Sequence, residues 1–500
     1  MPPLKIVSQL NSCLEQENIR YCHWKSNEHV DAAVEGKTDL DVLADQAAKE
    51  RLKQVLGEIG YKQFISVPFL QYTEIEDYVA MDEDTGTLVH LHLHYQLELG
   101  EKNLKGYHCP WEELLLSTRI YDQEHQIYIA EPNIEIIILL VRAALKVRNR
   151  DRAKSLVGAD YFAGDVIREF RWLKARIDLA QVRKLSAELL GEDAAKLIAE
   201  AIADESQLQK LLSPRNAVRS AVKKYRRYDP ITAMRLRWYR EWQYLFCKVL
   251  KRYFKAPVKL RRTSIDKGGA IVAILGADGA GKSTVNAEIV KGLSSKVDVF
   301  PIYLGSGDGT ASILRQPLIW LRQGFKALKS LKSSGKPSTG STKKWYERSK
   351  IYQLNHILWA ITLVIEKQNK LKRINSARER GLVVVCDRYP QSQIPYLNEG
   401  PLLTTEHKSD SKLLQALQEW ELKAYQQMVA DVVPDLVVKL NVSPEVALTR
   451  KSSLPEVIEK KVAGVKAIEF PDGSSIANLD ADRSLDEVIL KAKHAVWQSL

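Results

Sequence analysis

Cysteine is scarce in this chain. Cys13, Cys22, Cys109, Cys247 and Cys386 are the five in 500 residues, and no two form a CxxC pair. That spacing excludes a disulfide framework and a zinc knuckle, and leaves buried, reduced thiols as the expectation. Long apolar runs are missing as well. The two best, residues 136–141 and 357–365, fall well short of the ~20 residues that a spanning helix needs. The opening MPPLKIVSQLNSCLEQENIRY has neither a basic leader with an apolar stretch nor a small-residue cleavage site, so a cytoplasmic location is expected.

What is present is an ordinary globular composition, 45% hydrophobic and 27% charged, which excludes wholesale disorder. At roughly 150 residues per domain, a chain of this length needs more than one core. The net charge of +12 is unevenly spread: residues 210–267 hold eighteen Lys or Arg against Asp229, Glu241 and Asp266, a local excess of +15. In that stretch Arg235, Arg237, Arg240, Lys248, Lys251 and Arg252 interleave with Trp238, Trp242, Tyr244, Phe246 and Tyr253 on a helical pattern. Aromatics among cations suit an anionic membrane surface, met peripherally at its inner face, better than nucleic acid. The competing reading is a solvated basic face whose aromatics pack inward.

Three segments are expected. Residues 1–128 mix an amphipathic helix with short alternating runs and predict a small α/β domain. Residues 129–264 read as helix throughout, closed by Pro257, and residues 265–500 as a second α/β domain. Within the last, residues 328–344 are rich in Ser, Gly and Lys without periodicity and read as a mobile surface loop.

The strongest motif follows the β-like run AIVAIL: Gly276, Ala277, Asp278, Gly279, Ala280, Gly281, Lys282, Ser283 and Thr284, then the helical VNAEIVKGL. Strand, glycine loop and helix stand in the order of a phosphate-binding P-loop. The glycines let backbone amides turn toward phosphates. Lys282 brings a point charge to the β and γ groups, and Ser283 offers its hydroxyl to magnesium. Further on, the strand-like LVVVC ends in Asp387-Arg388-Tyr389. A carboxylate at the carboxyl end of a parallel strand can hold Mg2+ through water, and an adjacent arginine can grip a phosphate.

Residues 265–500 resemble the thymidylate kinases. GADGAGKST is similar to that family's loop, Asp387-Arg388-Tyr389 with Ser392 to its DRY signature, PDLVVKLNVSPEVALTR to its strand and the helix leading to the lid, and NLDAD to its last strand. The resemblance implies a P-loop parallel sheet, ATP and Mg2+, with Lys282, Asp387 and Arg388 catalytic and Ser283 and Asp387 at the metal. It also implies a lid carrying Arg450, Lys451, Lys460 and Lys461, where lysines stand in place of paired arginines. Asp278, Gly305, Ser306, Asp308, Tyr389 and Ser392 would lie on the acceptor side, although a plain turn accounts equally for residues 304–309. Gln393 and Pro395 depart from the signature, and no arginine-bearing helix for reading a thymine base is recognisable.

In the first segment, Asp39-Leu-Asp41-Val-Leu resembles the DxD strand of the nucleotidyltransferase superfamily. The third carboxylate that such chemistry wants is replaced in the run His90-Leu-His92-Leu-His94-Tyr95, so Asp39, Asp41 and His92 are a candidate metal set. Imidazoles at period two share a strand face and favour zinc or its neighbours over magnesium. A hydrogen-bonded histidine ladder is the alternative. The expected function is transfer of the ATP γ-phosphate to a nucleoside monophosphate or a related sugar-phosphate acceptor. Two other readings stand beside it: a bifunctional kinase and nucleotidyltransferase in surface-glycan precursor synthesis, and an ATP-gated binding module.

Overall fold

The computed structural model describes residues 3–101, 103–146, 164–213, 216–264, 268–305, 350–404, 411–451 and 454–500. The loop expected at 328–344 therefore lies outside the described residues. The chain divides into two compact units, 1–266 and 267–500, each described by itself. No helix among the described residues is long and apolar enough to cross a membrane.

The first unit runs α1 (Lys5–Gln16), β1 (Tyr21–His23), α2 (Val30–Val34), β2 (Leu40–Ala44), α3 (Lys49–Glu58), β3 (Lys62–Ser66), β4 (Ile75–Met81) and β5 (Leu88–His94). It continues with the hairpin β6 (Glu98–Glu101) and β7 (Leu104–His108), then α4 (Glu112–Thr118), β8 (Ile120–Asp122), β9 (Ile127–Ile129) and α5 (Pro132–Lys146). After these come α6 (Gly164–Lys174), α7 (Leu179–Leu190), α8 (Glu192–Ala203), α9 (Ala217–Ala221), α10 (Pro230–Phe254) and β10 (Arg262–Ser264). Eight strands form a mixed sheet in the order β10-β3-β4-β5-β2-β1-β9-β8, with β2 parallel to β5. Alternation sorts the side chains. Leu40, Val42, Val89, Leu91 and Leu93 join apolar residues of α1, α2 and α3 in one core, while Asp41, His90, His92 and His94 project from the other face.

Residues 129–264 are not a body of their own, contrary to the division at 128. Helix α5 is apolar on nearly every side, with Ile134 and Ile136 to Val141 all buried, and a helix of that kind needs cover all round. Its residues share one core with Leu43 of the sheet, with Trp24, Leu97 and Trp111 from the segments next to β1 and the hairpin, and with Phe170, Val182 and Ile198 of the later helices.

Helix α10 reverses the usual sidedness. Asp229 caps it and Pro230 opens it, yet none of its 25 residues is buried. Arg237 pairs with Glu101, Arg240 donates to the Gln71 carbonyl, and Tyr244 meets Phe69 edge to face. These positions, three or four apart, form the face that packs. The stripe on the far side, Ile231, Met234, Trp238, Trp242, Leu245, Val249 and Tyr253, stands in solvent, with Trp238 68% and Tyr253 71% exposed. Of the aromatics, Tyr244 packs inward beside Arg237 and Arg240, while Trp238, Trp242 and Tyr253 stay outward.

The second unit runs β11 (Ala270–Gly276), α11 (Lys282–Ser294), β12 (Val299–Tyr303), α12 (Lys350–Glu379), β13 (Val383–Asp387), α13 (Lys412–Asp431) and β14 (Leu436–Asn441). It closes with α14 (Pro444–Arg450), α15 (Pro455–Ala467), β15 (Ser475–Asp480) and α16 (Leu485–Ser499). The five strands are all parallel, in the order β12-β13-β11-β14-β15. Near-continuous apolar runs such as AIVAIL suit strands covered on both faces. The chain leaves central β11 for β12 and β13 on one side and later for β14 and β15 on the other, so the strand order reverses there. Open α/β sheets bind ligands outside the carboxyl ends of their strands at such a point.

Candidate active site

The loop after β11 is built as its glycines require. Gly279 and Gly281 take φ of +86° and +82°, and a Cβ on Gly279 would come within 2.6 Å of the Ala447 carbonyl oxygen. Only glycine fits that combination of turn and close approach. Lys282 opens α11, and its Nζ donates to the Ala277 carbonyl at 2.7 Å across the mouth of the loop. Ser283 and Thr284 follow on the exposed first turn, at the positive end of the helix dipole.

Parallel pairing sets Asp387, the last residue of β13, beside Ile274 of β11. Its Oδ1 is buried with no hydrogen-bond partner among the described residues. Burial pushes its pKa up against the pull of Arg388 and Lys282. A buried carboxylate oxygen without a partner, beside a phosphate loop, suits a divalent cation. Arg388 sits in the left-handed region at φ +71°, an uncommon backbone for arginine that surrounding contacts must hold. Its guanidinium reaches Glu399 Oε1 at 3.1 Å and Asp278 Oδ1 at 3.7 Å.

Asp278 gathers two of the four cations expected in a lid. Lys461 of α15 lies 2.6 Å from its Oδ2, and Lys451 lies 3.5 Å from Oδ1. Burial raises the Asp278 pKa, but Lys461, Lys282 and Lys451 outweigh it and bring it down to about 2. The other two lid candidates behave differently. Arg450 donates to the Ala481 carbonyl at 2.9 Å rather than to the loop, and Lys460 stands in solvent one position round α15 from Lys461.

The acceptor-side expectations divide. Tyr389 has no accessible surface, and its hydroxyl donates to the Val432 carbonyl at 2.7 Å. It is a core residue rather than an acceptor contact, because its ring fills the space between β13 and α13. Ser392 is half-buried on the loop after β13, and Gly305 is buried. Ser306 and Asp308 lie outside the described residues.

Sequence reasoning passed over the support behind Arg388. Lys367 of α12, fully buried, donates to the Glu399 carbonyl at 3.0 Å, to its carboxylate at 3.2 Å and to the Tyr425 hydroxyl at 3.3 Å. Lys367, Glu399 and Tyr425 stand 32 and 58 residues apart in pairs with Lys367, a separation no local motif records. Removing one partner of a buried pair leaves the other charge uncompensated, at about 3 kcal/mol or more. Lys367→Met is therefore expected to lower the unfolding free energy of the second unit by about that amount, read as a lower urea midpoint at unchanged slope in equilibrium unfolding. An unchanged midpoint would show that Glu399 is adequately held by Arg388 alone.

In the first unit, parallel pairing sets Asp41 opposite His92. Asp41 Oδ1 lies 2.9 Å from His92 Nδ1, 3.6 Å from His94 Nε2 and 2.8 Å from Lys25 Nζ. Burial works against ionisation of Asp41, yet Lys25 and the two imidazoles hold its carboxyl well below the usual range. Burial pushes His92 down to about 4 despite Asp41. The expected trio of Asp39, Asp41 and His92 is corrected in one member. Asp39, one residue ahead of β2, falls beside His90, and His90 lies 2.8 Å from both Asp39 and Asp77. His94 takes its place next to Asp41 and His92, and these three form a group able to hold a metal ion.

With this geometry in place, known proteins fall alongside it. No family model matches the chain. It is 28% identical over 236 residues to a protein of Escherichia coli K12 named uncharacterized ATP-binding protein YghR, covering 45% of this chain and 86% of that one. The E. coli K12 uncharacterized ATP-binding protein YghS is 29% identical over 235 residues, 46% of this chain and 93% of its own. A thymidylate kinase of Solidesulfovibrio magneticus is 31% identical over 147 residues, 26% of this chain and 62% of the enzyme. Among solved structures, a deoxyadenosine kinase from M. mycoides with bound dCTP aligns at 16% identity and a TM-score of 0.23, over 44% of this chain and 94% of its own. The phosphate loop, the parallel sheet and the three sequence relatives support a P-loop kinase-like fold.

Proposed function

We propose that the second unit transfers the γ-phosphoryl group of ATP to a nucleoside monophosphate or a related phosphorylated sugar. The observation that carries this reading is the convergence of Lys282, Arg388, Lys451 and Lys461 around Asp278, with Asp387 acting on Lys282 and Arg388, at the carboxyl ends of β11 and β13. Phosphoryl transfer asks a protein for positioning and for charge aimed at the equatorial oxygens, and little else. The loop amides and Lys282 hold the β and γ phosphates. Arg388, fixed by Glu399, meets the transferring group or the acceptor phosphate, and Lys451 and Lys461 leave Asp278 to close over it. Ser283 and Asp387 would hold Mg2+, which would supply positive charge against the charge that develops in transfer. Asp278, once released, would accept from a hydroxyl of the acceptor sugar. The lysines supply charge without the planar fork that arginines give a lid.

An acceptor screen with coupled ADP detection tests this. ADP release that depends on one class of phosphorylated acceptor is expected, with thymidylate a poor substrate, its kcat/KM below about 10⁵ M⁻¹s⁻¹. Absence of acceptor-dependent turnover across nucleoside monophosphates and sugar phosphates would leave an ATP-gated binding module as the better account. Efficient, selective thymidylate phosphorylation would overturn the acceptor reading alone.

A second reading rests on α10. A six-turn apolar stripe in solvent, flanked by the exposed cations Arg235, Lys248, Lys251 and Arg252, matches a helix that lies in an anionic lipid surface. On this reading the enzyme works at a membrane face.

A further inference from the structure

We propose that Asp41, His92 and His94 bind one divalent transition-metal ion of the zinc class, and that Lys25 is the cation it displaces. The proposal concerns the first unit and stands apart from the phosphotransfer reading. The three ligand atoms, Asp41 Oδ1, His92 Nδ1 and His94 Nε2, form a triangle with sides of 2.9, 3.2 and 3.6 Å. Ligand atoms held about 2.0–2.2 Å from one zinc-like ion, at angles between square and tetrahedral, lie roughly 2.9–3.6 Å apart. The triangle thus has the size of three positions around such an ion.

The frame that sets this triangle is rigid. Asp41 and His92 are opposite partners in the parallel pair β2 and β5, and His94 follows on the same face. His94 is fully buried and meets Trp24 edge to face at 5.1 Å, whereas His92 and Asp41 are partly exposed. An ion would be reached from one side and keep an open position there, as three-ligand sites do. Two imidazoles with one carboxylate select zinc, iron or their neighbours over magnesium.

A cation already occupies the neighbourhood. Lys25 Nζ lies 2.8 Å from the same Asp41 oxygen that both imidazoles approach. Its flexible four-carbon stem lets it withdraw. His90, by contrast, has its two nitrogens within 2.8 Å of Asp39 and Asp77 and is committed to them. The arrangement differs from a carboxylate pair at Asp39 and Asp41 sharing magnesium, since these two residues face different histidines.

The test uses the full chain, stripped with a chelator, dialysed and titrated with Co2+ in the absence of ATP. One saturable equivalent is expected, with the d–d absorption of a four- or five-coordinate nitrogen and oxygen site, displaced by Zn2+. His92→Ala and His94→Ala should each weaken Co2+ binding at least about tenfold, and His90→Ala should leave it unchanged. Lys25→Met, which removes the competing cation, should tighten it. That sign separates a metal site from a histidine ladder, where loss of Lys25 gains nothing, and it remains readable if either histidine variant fails to fold. No saturable equivalent, a spectrum indifferent to His92 and His94, or Lys25→Met without tightening would each overturn the proposal.

Discussion

Lys282→Ala is expected to lower phosphotransfer by about two orders of magnitude or more, equivalent to roughly 2.7 kcal/mol of transition-state stabilisation. The fold should survive, because among the described residues the Nζ of Lys282 makes one hydrogen bond, to the Ala277 carbonyl, and the glycine turns do not depend on it. The wild-type enzyme should also show the lysine in its pH dependence. Burial pushes the Lys282 pKa down to about 8, with Arg388 adding repulsion and Asp278 and Asp387 opposing it. The ammonium that phosphates need is present below that value and lost above it, so ATP affinity should fall as pH rises through about 8. Titration calorimetry across that range reads the effect, and Lys282→Ala should abolish the dependence. Wild-type turnover in the variant would remove the phosphate-loop assignment.

Anionic vesicles should pellet the full chain, and two separate variants should stop them. Trp238→Ser with Trp242→Ser removes rings that enter the headgroup region. Arg235→Gln, Lys248→Gln, Lys251→Gln and Arg252→Gln together remove cations worth up to ~1 kcal/mol each near a charged surface, or about a thousandfold in binding. Arg237 and Arg240 are left alone, since they tie α10 to Glu101 and Gln71. Binding by the wild type should weaken as salt rises. Equal cosedimentation of all three proteins would retire the lipid reading. If instead sedimentation velocity shows a dimer that the tryptophan changes dissolve, a second copy covers the stripe.

How much of this was legible beforehand follows from the range of each interaction. The phosphate loop could be read from nine consecutive residues, because its chemistry depends on backbone turns and on a helix that starts at Lys282. Asp387 and Arg388 could be placed because a strand end carries its side chains to a known edge. The partners of Arg388 could not: Glu399 lies on a loop wound through left-handed residues at 396, 398 and 399, and its counter-charge Lys367 belongs to a charged run, Glu366 to Arg373, in which nothing marks one lysine as buried. The pattern of α10 gave its composition but not its orientation, since apolar and basic residues share the helix and only tertiary contacts decide which side turns inward. Tyr389 was misplaced for a similar reason, as position in a motif says nothing of burial.

The polar ladder between β2 and β5 has a consequence for folding as well as for ligands. Asp39 falls beside His90 and Asp41 opposite His92, with leucines at 40 and 91 opposite each other on the reverse face. If the two strands slid by one residue, each aspartate would confront a leucine, and each histidine would turn into the apolar layer formed with α1 to α3. A strand pair with uniform hydrophobic faces can tolerate several offsets, whereas this one is keyed against a one-residue slip, because that alignment turns His90 and His94 into the apolar layer without their carboxylate partners. The keying sits on a parallel pair whose strands are separated by α3, β3 and β4. Such distant pairings form late and slowly, which makes a sharply discriminated alignment most valuable there. Replacing the ladder with aliphatic residues would give a more apolar sheet and, at the same time, a chain with more than one way to close it.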